Sequence, residues 1–261
     1  MSTIEQVLPE PTHPFRWSTA SWGPVLVCDA LAPYAYHFFS ASGLDVTGPE
    51  PSERWESVAD ALGVPQARVW RVRQVHGIDL TVADAQETRT GPCPEGDLLA
   101  TERSDAALAV RTADCVPILL VDRQRRVVAA VHAGWRGTAL GAAVHIVSLL
   151  EERYGVAASD LIAAVGPSIG PDRYVVGGEV PQAFRRRFDE GTVRRWCAED
   201  DEGTCRLNLW QANAEQLTSA GVHSEQVHVA GMCTATHARL FHSYRVDGDR
   251  AGRMVAAIRL A

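Results

Sequence analysis

The 261-residue chain contains no lysine: all 25 of its basic residues are arginine. Schiff-base chemistry and the ammonium of a phosphate-binding P-loop are thereby excluded, whereas planar, bidentate contacts to phosphate or carboxylate remain open. No apolar run approaches 18 uncharged residues, so no membrane-spanning helix is expected. Residues 1–14 have neither a basic start nor an apolar stretch, so no export signal is expected and the expected location is the cytoplasm. The six cysteines, at positions 28, 93, 115, 197, 205 and 233, include no Cys-X-X-Cys pair and are too sparse for a disulfide scaffold. All six are expected to be reduced thiols. The longest basic run is Arg185-Arg186-Arg187 and the formal net charge is -7, so nucleic acid is not an expected partner.

What is present is enough apolar material for a core: 46% of the residues are hydrophobic and 22% charged. A chain of this length buries roughly three quarters of its unfolded surface and needs neither metal nor disulfide to fold, so a metal site, if there is one, serves function. No repeat or long linker is visible. Residues 47–52 (TGPEPS) and 90–95 (TGPCPE) read as loops within a single domain spanning 1–261.

Periodicity predicts strands over 69–75, 106–111, 116–122, 127–131, 161–165, 226–231 and 254–260. Thr138 is placed to cap a helix that Gly155 ends. Residues 179–188 read as another helix, followed by a polar segment at 199–203. Asn208 and Gln211 resemble a capping box opening a helix that Gly221 closes. Strands and helices alternate irregularly, which predicts an α+β fold, an α/β sandwich of mixed sheets flanked by helices.

His76, Cys115 and His132 each fall where a predicted strand gives way to a turn. Imidazole and thiolate together are zinc ligands, and three protein ligands leave a fourth position open, as catalytic sites do. The opposing reading is a small buried Cys and hydrogen-bonded His residues in the core, and spacing alone does not decide between the two.

Four ordered segments carry more: Gln74-Val75-His76-Gly77, Thr112-Ala113-Asp114-Cys115-Val116-Pro117, His132-Ala133-Gly134-Trp135-Arg136-Gly137-Thr138 and Gly166-Pro167-Ser168-Ile169-Gly170. With Cys233-Thr234, Phe241-His242-Ser243-Tyr244-Arg245 and Gly252-Arg253-Met254, they resemble the YfiH family, also called the laccase-domain or multicopper polyphenol oxidase family. The resemblance is strongest over 69–261. It implies a zinc site on His76, Cys115 and His132, and a fold similar to deamidases that use Cys and His. It also implies phosphorolysis of adenosine, inosine, guanosine and methylthioadenosine, and deamination of adenosine; some members are described as editing factors for peptidoglycan precursors. The sequence departs from the family at 37–43, which lacks an expected arginine, and at Val175, Asn208 and Val246, where Glu, Asp and Arg are frequent.

Within that reading the partners are a purine nucleoside and phosphate, with the oligomeric state left open. Asp114 is a candidate proton carrier or orienting residue. Arg136 and Arg245 are candidates for phosphate or a purine oxygen, Trp135 for stacking on a purine, and Arg253 for structure or the site rim. Three alternatives stay open. Cys115 could be a nucleophile of a Cys/His hydrolase editing a peptidoglycan precursor. Copper oxidation of phenols ranks lower, because nine histidines include no His-X-His pair. A metal-stabilised interaction module without turnover ranks last.

Overall fold

The computed structural model describes residues 8–48, 53–83, 93–124, 126–199 and 204–261. Residues 49–52 and 90–92 of the two expected loops, and 200–203 of the expected polar segment, lie outside the described residues, as do residues 1–7 of the N-terminal stretch. In chain order the elements are β1 (Phe15–Ala20), β2 (Gly23–Cys28), β3 (Ala35–Ser40), α1 (Glu53–Leu62), β4 (Val69–Trp70), β5 (Leu80–Val82), β6 (Leu98–Thr101), β7 (Ala107–Thr112), β8 (Val116–Asp122) and β9 (Val128–Ala133). There follow α2 (Trp135–Ala139), α3 (Ala142–Tyr154), β10 (Leu161–Val165), β11 (Val175–Val176), α4 (Glu179–Arg185), α5 (Glu190–Trp196), β12 (Cys197–Glu199), β13 (Cys205–Leu207), α6 (Leu209–Ser219), β14 (Val227–Val229), α7 (Tyr244–Asp247) and β15 (Met254–Leu260).

Two six-stranded sheets, ordered β1-β2-β3-β15-β7-β4 and β14-β10-β8-β9-β6-β5, are mixed, with parallel pairs only at β7/β4, β14/β10 and β6/β5. A small third sheet runs β11-β13-β12. The period-2 alternation of a strand divides β8 between two cores. Leu119 and Val121 face the first sheet, among Leu26, Leu108 and Ile258, while Val116, Ile118 and Leu120 face Ile146 and Leu150 of α3 and Leu209 and Leu217 of α6. Because β8 is buried along its whole length, its sequence VPILLVD reads as a continuous apolar run rather than an alternating one. On the far side of the first sheet, α1 packs Trp55, Val58 and Leu62 against Val69, Ala109 and Ala257. The order of layers is helix, sheet, sheet, helix, in agreement with the expected mixed α+β sandwich.

Several boundaries differ from expectation. The strand expected over 69–75 is only Val69–Trp70, because the backbone beyond it bonds elsewhere. Thr138 does not cap α3; it lies buried inside α2, where it takes hydrogen bonds from Asn213 to its hydroxyl and from Gln216 to its carbonyl. Gly141, at φ 83°, starts α3, and Gly155, at φ 64°, ends it as expected. The helix expected over 179–188 stops at Arg185, and α5 follows, capped by the Asp189 carboxylate on Thr192 N. Asn208 caps α6 through Gln211 N, but the reciprocal arm is not made, since Asn208 N donates to Trp196 O instead. Nor are all cysteines free. Cys197 and Cys205 form a disulfide, their Cα atoms 5.6 Å apart on neighbouring strands of the third sheet.

Candidate metal centre

The open end of the β8–β9 hairpin assembles two of the three expected ligands. Cys115 immediately precedes β8, and His132 is the penultimate residue of β9, in register with Pro117. His76 comes from outside the hairpin, on the irregular segment that follows β4. The donor atoms of the three lie within 4.8 Å of one another, and the two imidazoles meet edge to face at 5.0 Å. Among the described residues no other group of three His, Cys, Asp or Glu side chains is so disposed. The trio could hold a metal ion.

One carboxylate that the sequence reading missed organises two of them. Asp97 is fully buried at the start of β6. Its Oδ1 accepts from His132 Nδ1 at 2.7 Å and from the His76 amide at 3.0 Å, and its Oδ2 from the amides of Val75 at 3.1 Å and Gly77 at 2.7 Å. A carboxylate can only accept, so Nδ1 of His132 carries a proton to Asp97, which leaves Nε2 for Cys115. Burial would raise the Asp97 carboxyl, but the hydrogen bonds from His132 and the amides outweigh it and hold it below the usual carboxylate range. Gln74 anchors the other end of the loop. Its amide group donates to Arg111 O at 2.7 Å and accepts from Arg111 N at 2.8 Å, replacing the missing β-ladder.

His76 and Asp114 are the two non-glycine residues with positive φ among those described, at 63° and 84°. Such conformations cost about 1–3 kcal/mol each and persist only where the surroundings over-determine them. Both belong to or adjoin the expected trio, and both are pinned: His76 by the amide fan on Asp97, Asp114 by its own carboxylate. Gly134 supplies the room. A Cβ there would stand 2.9 Å from Cys115 Sγ and 2.9 Å from His76 Cδ2.

Burial alone would raise the Cys115 thiol and lower the His132 imidazole. Their attraction as an ion pair wins, aided by hydrogen bonds from both histidines to the thiolate and from His132 to Asp97. Cys115 falls from 9.0 to about 6 and His132 rises from 6.5 to about 9. By themselves, the side chains therefore favour a thiolate beside an imidazolium at neutral pH.

Asp114 Oδ1 accepts from Thr234 Oγ1 at 2.6 Å and Ser243 Oγ at 2.8 Å, and Oδ2 from the Arg245 amide at 2.6 Å. Cys233-Thr234 and the segment from Phe241 to Arg245 thus converge on the residue preceding Cys115. Arg136 is exposed, with its guanidinium 4.3 Å from the Trp135 ring centroid, while Trp135 also packs on the core. One Trp135 face is therefore taken by arginine rather than left for a base. Arg253 donates to its neighbours' carbonyls, Ala251 O and Gly252 O, a structural use. Cys233 is buried, its Sγ accepting from Gly170 N.

Residues 50–261 match the family model described as multi-copper polyphenol oxidoreductase laccase. The chain belongs to this family. It is 38% identical over 208 residues to "Purine nucleoside phosphorylase YlmD" of Geobacillus stearothermophilus, covering 77% of this chain and 75% of the relative. It is 37% identical over 213 residues to "Purine nucleoside phosphorylase" of Deinococcus radiodurans, covering 81% and 78%. Among solved structures it resembles the hypothetical protein YfiH of Bacillus licheniformis, with TM-score 0.85, 27% identity and coverage of 95% and 100%. It also resembles YlmD of Geobacillus stearothermophilus, with TM-score 0.82, 30% identity and coverage of 95% and 99%. The YfiH resemblance and the mixed α+β fold expected from the sequence both hold for this family member. Among the described residues, no helix is long and apolar enough to cross a membrane.

Proposed function

We propose that this family member is a zinc-dependent purine nucleoside enzyme, cleaving nucleosides with phosphate and deaminating adenosine at a site built on His76, Cys115 and His132. The observation that carries the reading is the convergence of these donors within 4.8 Å, with Asp97 fixing the His132 tautomer. Two imidazoles and a thiolate are a zinc donor set, and a carboxylate on the far ring nitrogen is its usual support. A multicopper arrangement would need further imidazoles, and none join the trio among the described residues. When bound, zinc would supply Lewis acidity at the coordination position that the three side chains leave open.

Arg245 and Arg136 are assigned to the oxyanion and the purine, since a guanidinium fork matches phosphate and ring oxygens alike. Asp114 is assigned to positioning. Its carboxylate already accepts from Thr234, Ser243 and Arg245, so it sets where Arg245 stands rather than carrying a proton. A second reading is supported by the lowered Cys115 thiol: a thiolate beside His132 could attack an amide of a peptidoglycan precursor.

The experiment is elemental analysis of the purified protein together with chromatography of adenosine incubated with and without phosphate. About one zinc per chain, with phosphate-dependent adenine release or phosphate-independent inosine release lost in His76→Ala, Cys115→Ala and His132→Ala, is the expected result. Folded protein with no zinc and no nucleoside turnover would reject the reading in favour of the thiolate hydrolase.

A further inference from the structure

Arg245 is held from three directions. Its backbone amide donates to Asp114 at 2.6 Å and its Nη1 to Val175 O at 3.0 Å, and its guanidinium carbon lies 5.1 Å from the centroid of the Tyr174 ring, within cation–π range. Tyr174, absent from the sequence expectations, is itself fixed from behind. Leu207 N donates to its carbonyl at 3.0 Å, and β11, which follows it, pairs with β13. Its ring is half-buried, and the charges of Cys115, Asp114 and Arg136 bear on its phenol. Beyond the bond to Val175, the N–H groups of the exposed Arg245 guanidinium have no protein acceptor among the described residues.

An aromatic face orients a guanidinium without using up its donors, whereas a carboxylate would both orient and neutralise it. The Tyr174 contact therefore leaves a positive, planar fork available for an oxyanion beside the His76, Cys115 and His132 trio. We propose that Tyr174 is a positioning residue that sets the affinity of the site for its oxyanion co-substrate, inorganic phosphate, by holding Arg245 against its ring face. The identity of that oxyanion as a co-substrate rests on the phosphorolytic reading above; the clamp itself does not.

The test titrates inorganic phosphate into the zinc-loaded protein by calorimetry, without nucleoside, and measures KM for phosphate and for nucleoside separately. Tyr174→Leu is expected to raise the phosphate Kd and phosphate KM roughly five- to tenfold, as loss of a partly desolvated cation–π contact would. Zinc content and nucleoside KM should stay within twofold, and Tyr174→Phe should restore phosphate binding to within twofold of the parent. If the leucine variant does not fold, Tyr174→Met is held to the same outcomes. An unchanged phosphate Kd in the non-aromatic variant, a phenylalanine variant as weak as leucine, or a parent protein that binds no phosphate would each overturn the inference. Phosphate binding that weakens in Tyr174→Leu and returns in Tyr174→Phe, in protein that cleaves no nucleoside, would instead reject phosphorolysis and leave the clamp standing.

Discussion

Among the described residues, a histidine sits with a cysteine in the first large sheet and another does so at the end of the second, and the two pairs have opposite electrostatics. In the first sheet His37 Nε2 accepts from the backbone amide of Cys28, and Nδ1 bonds Ala35 O; both side chains are buried. Burial dominates there, lowering the imidazole and raising the thiol to about 11, so both groups stay neutral. At the second sheet His132 and Cys115 form an ion pair, with the thiol down at about 6. Residue types do not explain the difference. His37 spends both ring nitrogens on backbone groups, while His132 gives one to a carboxylate and keeps the other for the site.

The sharpest expression of this contrast is chemical reactivity after metal removal. Attack needs the thiolate, whose fraction at neutral pH is near one for a thiol titrating at about 6 and on the order of 10⁻⁴ for one at about 11. A low-pKa thiolate is intrinsically less nucleophilic, which takes back about two powers of ten of the ~10³-fold difference in thiolate fraction at pH 7.5, so in chelated, folded protein iodoacetamide should modify Cys115 at least roughly tenfold faster than Cys28, as read by peptide mass spectrometry. Zinc should protect Cys115. Comparable rates at the two positions would show that Asp97 and the histidines do not charge the second pair.

Removing Asp97 should convert the second pair towards the first. Asp97→Ala strands the His132 Nδ1–H and three loop amides, and a loss of about 3 kcal/mol in chemical denaturation is expected for the buried donors left without a partner. Zinc affinity in the folded fraction should fall roughly 10- to 100-fold. Retained affinity would mean that the hairpin alone orients His132. Gly134→Ala separates ligand geometry from stability. Its φ of -71° suits alanine, so the fold should hold, but the new Cβ presses on Cys115 and His76, and turnover should drop about 10²-fold.

The sequence made the hairpin half of this site legible and left the loop half obscure. The strands at 116–122, 161–165 and 254–260 were readable because strands buried between layers are apolar throughout. Cys115 and His132 stand at the ends of such strands. The stretch 69–75 looked like a strand because its alternation was real, yet beyond Trp70 the amides turn to Asp97, 20 to 22 residues away, and Gln74 turns to Arg111, 37 residues away. Nothing local announces those bonds. Asp97 carried one faint signal, a carboxylate abutting the apolar Leu98-Leu99-Ala100 with no nearby cation in the chain. Tyr174 carried none, since its role depends on Arg245, 71 residues later. Of the N-terminal strands, β1 is half-buried or exposed at every position but Phe15 and carries Arg16, Ser18 and Thr19, so no apolar run marks it.

The smallest expected effect tests the neutral pair. The Cys28 thiol ionises at 9.0 when unfolded and at about 11 in the fold, so the fold binds this proton more tightly than the unfolded chain. A group raised in this way contributes stability that is fully present below pH 9 and is lost as pH climbs from 9 towards 11. Integrating between those limits gives about 2 kcal/mol of destabilisation by pH 10.5 from Cys28 alone. Between pH 8.5 and 10.5, urea titrations should show a loss about 2 kcal/mol larger in the parent than in Cys28→Ala, whatever stability the alanine costs at both pH values. Cys115 has the opposite sign: lowered in the fold, its contribution is present above pH 9 and lost as pH falls through about 6. Substituting Cys115 should therefore leave the alkaline increment in place. If instead Cys115→Ala removes it and Cys28→Ala does not, the assignment of the charged and neutral pairs is reversed.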